Sequence, residues 1–154
     1  MASQIQGSQI RLIELGIKVD RAAALLPQTA TGSLFAISGG RIILTSIVGE
    51  VTVALGATAT NAKLVSTPTT GTAKDICAVL AEASLEVGTL LGITGVFTDA
   101  MTGSNAGAAN IPTKAGVVLP IGNLGLSTSA NDTGQIKWSL TYIPLDDGAS
   151  VAAV

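Results

Sequence analysis

Side chains able to carry out chemistry are few in this chain. The 154-residue sequence contains no histidine and a single cysteine, Cys77. The lack of histidine removes Ser-His and Cys-His nucleophilic pairs, His-ligated metal sites and the commonest general base. Cys77 cannot form an internal disulfide, and its apolar neighbours predict a buried, small hydrophobic residue. No phosphate-binding GxxxxGK or GxGxxG motif is present. We therefore expect no enzymatic activity and no catalytic residue.

Two pairs of carboxylates are the remaining candidates. Glu82 and Glu86 lie four residues apart and would share one face of a helix, which is an arrangement that acid–base hydrolysis of a sugar could use. No aromatic residue nearby could stack on a sugar ring, so a solvated face is the favoured interpretation. Asp146 and Asp147 precede Gly148 and could contribute oxygen ligands to calcium, but these are also ordinary turn residues. We predict no metal site and no cofactor.

Composition narrows the class of partner. Charged residues make up only 12% of the chain, apolar residues make up 47%, and the mean hydropathy is +0.58. The net charge is −2 and the eight basic residues are scattered singly, which disfavours nucleic-acid binding. Neither a signal peptide nor a membrane-spanning segment is expected, so the Asn131-Asp132-Thr133 glycosylation pattern is discounted. A surface this poor in charge suits contact with other protein; the alternative is a monomer with a Thr/Ser surface.

The strand expected at Gln135–Pro144 is the element around which a core must form. Ile136, Trp138, Leu140 and Tyr142 alternate with polar residues, which is typical of a half-buried β-strand. The segment holds the only Trp and the only Tyr of the chain, so these four residues are predicted to organise the core. The alternative is that the two aromatic side chains form an exposed sugar-binding platform.

Short strands and turns fill the rest of the sequence. The predicted strands are 34–38, 41–48 continuing over 50–55, 61–67, 74–80, 90–97, 117–119 and 124–128, and residues 151–154 are a short apolar end. Gly39-Gly40 predicts a two-residue hairpin turn, and Gly49 a bulge. Residues 13–19 are predicted to be a strand and 21–26 a short helical turn, and a helix over 73–85 is the alternative to a strand there. The whole is predicted to be all-β, a single-domain β-sandwich or jelly-roll-like barrel (21–154) with an N-terminal arm (1–20) and a long loop over 100–115.

Two parts of the chain carry a family resemblance. Residues 134–149 read GQIKWSLTYIPLDDGA, which is similar to a G-x-(I/V)-x-W-x-L-x-Y-x-P-L-x-D-G-A pattern at the C-terminal end of small structural proteins of tailed bacteriophages. Residues 35–44 and 47–52 resemble the earlier strand pair of the same proteins. Residues 1–20 and 100–107 lie outside the resemblance.

The resemblance implies a virion component without enzymatic activity. Within that class the preferred role is a capsid decoration, or cement, protein: a small β-sandwich, often a homotrimer, that is made in the host cytoplasm and binds the outer surface of the head at junctions between capsomers. The implied partners are further copies of the chain and the major capsid protein. The arm, with Ile5, Ile10, Leu12 and Ile13, or the 100–115 loop, would reach over neighbouring capsid subunits. The alternatives are a tail or head-fibre component and a carbohydrate-binding module of a fibre.

Overall fold

The computed structural model describes residues 5–104 and 116–154. One helix and twelve strands lie within these ranges. Their bounds are α1 Gly7–Leu15, β1 Ile17–Leu25, β2 Thr31–Ser38, β3 Ile42–Val53, β4 Thr60–Pro68, β5 Lys74–Asp75, β6 Leu80–Glu82, β7 Leu90–Gly92, β8 Thr102–Ser104, β9 Val117–Leu119, β10 Gly122–Thr128, β11 Gln135–Pro144 and β12 Ser150–Ala153. Of the long loop predicted over 100–115, residues 102–104 form β8 instead, and residues 105–115 lie outside the described residues.

The strands form two antiparallel sheets that pack face to face. The first sheet has the order β1-β11-β3-β7-β8, with β9 also paired to β3. The second has the order β12-β2-β10-β4-β5, with β6 also paired to β4. This arrangement confirms the all-β sandwich predicted from the sequence, whereas the jelly-roll variant stays a prediction.

The core lies between the two sheets, and β11 contributes large side chains to it. The inner residues of β11 alternate with exposed or half-buried ones, as a period of two requires. Ile136, Trp138, Leu140 and Tyr142 are all buried, with Trp138 only 1% and Tyr142 only 4% exposed. They belong to one buried cluster with residues of β2, β4 and β10 in the other sheet, among them Phe35, Leu64 and Leu124.

The predicted hairpin at Gly39-Gly40 is wrong. β2 belongs to one sheet and β3 to the other, so this turn carries the chain across the sandwich. Gly39 has the positive φ of +75° expected of such a turn. A Cβ at Gly39 would collide with the carbonyl oxygen of Gly148, in the turn by which β11 crosses back to β12. The two crossings therefore pack on each other at one corner of the sandwich.

The N-terminal segment also differs from expectation. Residues 7–15 form a helix where a strand over 13–19 was predicted, and the helical turn predicted over 21–26 is replaced by β1, which continues to Leu25. Gly16, at φ +85°, ends the helix, and Ile17 begins β1 by pairing with Tyr142. β1 thus spans the predicted boundary between arm and sandwich at residue 20.

Three further local predictions need correction. The strand predicted over 74–80 is interrupted, because β5 ends at Asp75 and β6 begins at Leu80, and the alternative helix over 73–85 does not form. Gly49 is regularly paired with Trp138, and the shifts in register between β3 and β11 fall on either side of it, near Thr45 and Thr52. The strand predicted over 90–97 is shorter than expected, because β7 ends at Gly92.

Candidate functional site

The aromatic platform considered for sugar binding is absent from the surface. Trp138 lies against the backbone of Gly49 inside the core. The hydroxyl of Tyr142 accepts a hydrogen bond from the backbone N–H of Val151 at 3.3 Å, which links β11 to β12 in the opposite sheet. Both side chains therefore stabilise the sandwich, and neither is available to stack on a ligand.

The carboxylates proposed as a calcium site have a different role. Asp146 accepts hydrogen bonds from the backbone N–H and the Nε of Arg41 at 2.8 Å each, and its second oxygen binds Arg41 Nη2 at 2.7 Å. This bidentate contact with Arg41 lowers the pKa of Asp146 to about 2. Asp147 beside it is exposed. Among residues 5–104 and 116–154, no group of three or more potential metal ligands occurs.

Asp132 is a structural carboxylate that sequence reasoning left unassigned. It is buried, and its Oδ1 accepts hydrogen bonds from the backbone N–H groups of Gly56 at 2.6 Å, Thr133 at 2.6 Å and Gly134 at 3.3 Å. The carboxylate thereby ties the turn before β11 to the loop after β3. Its neighbour Asn131 accepts a hydrogen bond from the Thr29 hydroxyl at 2.6 Å.

The other chemical candidates are also dispersed. Cys77 is buried, its sulfur accepts a hydrogen bond from Leu64 N–H at 3.2 Å, and burial raises the pKa of the thiol. Glu82 ends β6 and Glu86 lies in the following loop, so the two do not share a helical face. The structure therefore brings none of the predicted chemical candidates together.

The feature of the surface that does stand out is α1. Its sequence GSQIRLIEL places four apolar side chains in nine residues, and no residue of α1 is buried. Ile10 is 49%, Leu12 57%, Ile13 70% and Leu15 42% exposed. An isolated helix of this length is marginal in water, and most helices gain their stability by packing an apolar face. This helix lacks such packing within the described part of the chain.

Among the described residues, the side-chain hydrogen bonds of α1 lie at its two ends. At its start, the backbone N–H of Gln6 donates to Gln9 Oε1 at 2.9 Å. At its end, the hydroxyl of Thr45 donates to the carbonyl of Leu15, and also contacts the hydroxyl of Thr141 at 2.8 Å. These contacts place the C-terminal end of α1 on the outer face of the first sheet while its side chains stay in solvent.

A row of apolar residues continues this surface along the sheet. Ile43 on β3 is paired with Val118 on β9 and with Ile143 on β11. Each of the three is next in the chain to a buried residue that points into the core. Because successive side chains of a strand point to opposite faces, Ile43, Val118 and Ile143 point outward, and we call them the apolar row. Val118 and Ile143 are exposed, and a Cβ added at Gly16 would lie 2.9 Å from Ile143 Cγ1. We refer to α1 and the apolar row together as the apolar surface.

Charge borders the apolar surface. Beyond the row, the outer face of the first sheet carries the ion pairs Lys18–Asp20 and Lys137–Glu50, each at 2.8 Å. Apolar residues rimmed by polar ones are typical of a protein contact surface. The sequence predicted Ile5 and the helix residues Ile10, Leu12 and Ile13 as contact candidates, but the apolar row is visible only once the strand register is known.

No helix within the described residues has the length and apolar character to cross a membrane. A scan against protein-family models, a search of curated proteins and a search of solved structures all returned no significant match for this chain.

Proposed function

We propose that this chain is a non-enzymatic structural protein of a tailed-phage virion, and that it decorates the outside of the capsid at junctions between capsomers. The observation that carries the proposal is α1, whose four apolar side chains are exposed beside a well-packed sandwich. Together with the sequence resemblance and the low charge, it supports a protein built for contact with other protein.

The sandwich and the apolar surface would have separate tasks. The sandwich supplies a stable body, because its core includes residues from most strands of both sheets. The apolar surface, together with Ile5 just before α1, supplies the contacts with capsid subunits or with further copies of the chain, through Ile10, Leu12 and Ile13 of α1. Each such contact is small, and repetition over a lattice multiplies its effect by avidity. A homotrimer, the form that the resemblance implies, would add to that effect.

The test is binding to heads that were assembled without this chain. A variant lacking residues 1–12 removes Ile5, Ile10 and Leu12 but retains all of β1. We expect the parent chain to co-sediment with the heads and the truncated variant to show at least about tenfold weaker occupancy, since several apolar contacts are lost at every lattice position. Val87→Ser is the matched control, because Val87 is 62% exposed and lies outside the apolar surface.

Two results would contradict the proposal. Undiminished occupancy by the truncated variant would remove α1 from the contact. Failure of the parent chain to bind heads, together with binding to isolated tails or fibres, would favour the alternative of a tail or head-fibre component. The carbohydrate-binding alternative loses its basis, because Trp138 and Tyr142 are buried.

A further inference from the structure

The exposed apolar side chains of α1 form two stripes on different sides of the helix. At 3.6 residues per turn, Ile10 and Ile13 make one stripe and Leu12 and Leu15 make another, with centres about 160° apart. We call them the isoleucine stripe and the leucine stripe. A helix that is apolar on opposite sides is usually covered from both. In the described part of the chain neither stripe is covered, so α1 has room for two different partners.

The charges of α1 indicate one of these partners. Arg11 and Glu14 project into one sector of the helix between the two stripes, with Glu14 next to Ile10 and Arg11 next to Leu15. The isoleucine stripe is the more open of the two, because Leu15 is the least exposed of the four apolar residues and its carbonyl accepts a hydrogen bond from Thr45. Neither takes part in any ion pair found among residues 5–104 and 116–154. The order of residues 10–15 is apolar, basic, apolar, apolar, acidic, apolar. When the order is reversed, every apolar position is again apolar, and the basic and acidic positions change places.

Such an order is complementary to itself when two copies run antiparallel. With the isoleucine stripes in contact, the charged sectors of both helices lie on the same side of the seam, and Arg11 of each copy approaches Glu14 of the other. In a parallel pair the two charged sectors would lie on opposite sides of the seam and could not meet. A two-fold axis repeats every contact, as in the symmetric dimers that proteins most often form.

We propose that α1 is a self-association element, which pairs antiparallel with α1 of a second copy of this chain through Ile10 and Ile13, with two symmetric Arg11–Glu14 ion pairs. The pairing supplies the packing that so short a helix needs. It buries less than the roughly 1,200 Å² of a standard interface, so it is weak and depends on concentration. In the paired state Ile10 and Ile13 contact a second copy, and Leu12 and Leu15 stay free for a capsid contact. The pairing can be measured without any capsid.

Sedimentation equilibrium of the full chain, from micromolar to millimolar concentration, tests the apolar part of the pairing. We expect the mass of the parent chain to rise with concentration until it is twice the mass of the Ile13→Ser variant. The same ratio is expected whether the Ile13→Ser variant is a single chain or a trimer. Val87→Ser, which alters an equally apolar and comparably exposed residue elsewhere, should behave as the parent. Equal masses for the parent chain and Ile13→Ser at every concentration would overturn the proposal.

Charge reversal tests the partner and the orientation. Arg11→Glu and Glu14→Arg should each weaken self-association by about tenfold, since each replaces two attractive pairs with two repulsive ones. An equal mixture of the two variants should recover the parent affinity, because two acidic side chains of one copy then face two basic side chains of the other. Lys74→Glu, which changes the net charge by the same amount as Arg11→Glu, is the control for that variant.

The mixture decides between specific pairing and general charge effects. If it associates no better than either variant alone, the antiparallel pairing is wrong. Because these measurements need no capsid, a failure to bind heads would leave them unaffected, and their failure would leave capsid binding to be judged by its own test.

Discussion

The indole ring of Trp138 on β11 packs on the backbone of Gly49, its direct partner on β3. A Cβ built on Gly49 would lie 2.8 Å from Cη2 and 2.9 Å from Cζ3 of the ring, closer than such atoms approach in folded proteins. The largest core side chain therefore fits only because its cross-strand neighbour has no side chain. Glycine in mid-strand usually weakens a sheet, and here it makes room for the ring.

Gly49→Ala is expected to destabilise the protein by about 1–3 kcal/mol, because the ring must shift within a close-packed core. Chemical denaturation monitored by circular dichroism measures the free energy of unfolding. The penalty should shrink in a Trp138→Phe background, where the six-membered ring of the indole that contacts Gly49 is gone. Gly7→Ala, at a position with nothing within 4 Å, is the control. An equal penalty in both backgrounds would contradict the packing explanation.

Asp132→Ala should destabilise the protein by about 2 kcal/mol, since the backbone N–H groups of Gly56 and Thr133 lose their buried acceptor. Asp147→Ala, which removes an exposed carboxylate from another turn, should change the free energy of unfolding by less than about 0.5 kcal/mol. Equal effects of the two substitutions, measured by the same denaturation, would mean that Asp132 does not hold the turn before β11 to the loop after β3.

Sequence patterns predicted the strands whose two faces differ. β11 was predicted with its bounds intact, because large apolar and polar residues alternate from Gln135 to Tyr142 before Pro144. β4, β9 and β10 were predicted as short segments bounded by Pro and Gly: Pro68 ends β4, and Pro120 and Gly122 lie between the strands predicted at 117–119 and 124–128. Alternation of apolar and polar residues can be read from the local sequence alone. It corresponds to the structure wherever one face of a strand is buried and the other is exposed.

Pairing and local ambiguity were harder to predict. Gly39-Gly40 predicted a turn correctly but could not reveal that β3 pairs with β11 rather than with β2, a choice made by packing between distant segments. In residues 10–19 the apolar positions fit both periods, and the break at Gly16 divides a helix from a strand. The apolar row was invisible for the same reason as the pairing, because its three residues come from three strands.

The contact between Arg41 and Asp146 predicts a pH dependence of stability. The pKa of Asp146 falls from 3.8 to about 2 in the folded protein, so its contribution is present above about pH 4 and is lost as the pH falls towards 2. Asp146→Asn should flatten the loss of stability over this range, as measured by urea denaturation at successive pH values. Asp147→Asn, which leaves the contact between Arg41 and Asp146 in place, is the control.

Part of the acid dependence should survive in Asp146→Asn. Hydrogen bonds from Lys18 and Ser139 also lower the pKa of Asp20, so this second carboxylate adds a slope of the same sign. The double variant Asp20→Asn/Asp146→Asn should be flatter than either single variant. A parent slope that persists in the double variant would show that other carboxylates control the acid sensitivity.

Cys77 offers a probe of how the edge of the second sheet opens. The thiol is 1% exposed, and burial raises its pKa, so a thiol-specific reagent should modify the native protein at least about a thousandfold more slowly than the unfolded chain. A Cys77→Ala/Val87→Cys variant, with its thiol at an exposed position, should react at once and provides the reference rate. Labelling of Cys77 near that reference rate would mean that β5, which pairs with β4 over only Val65 and Ser66, detaches readily from the sandwich.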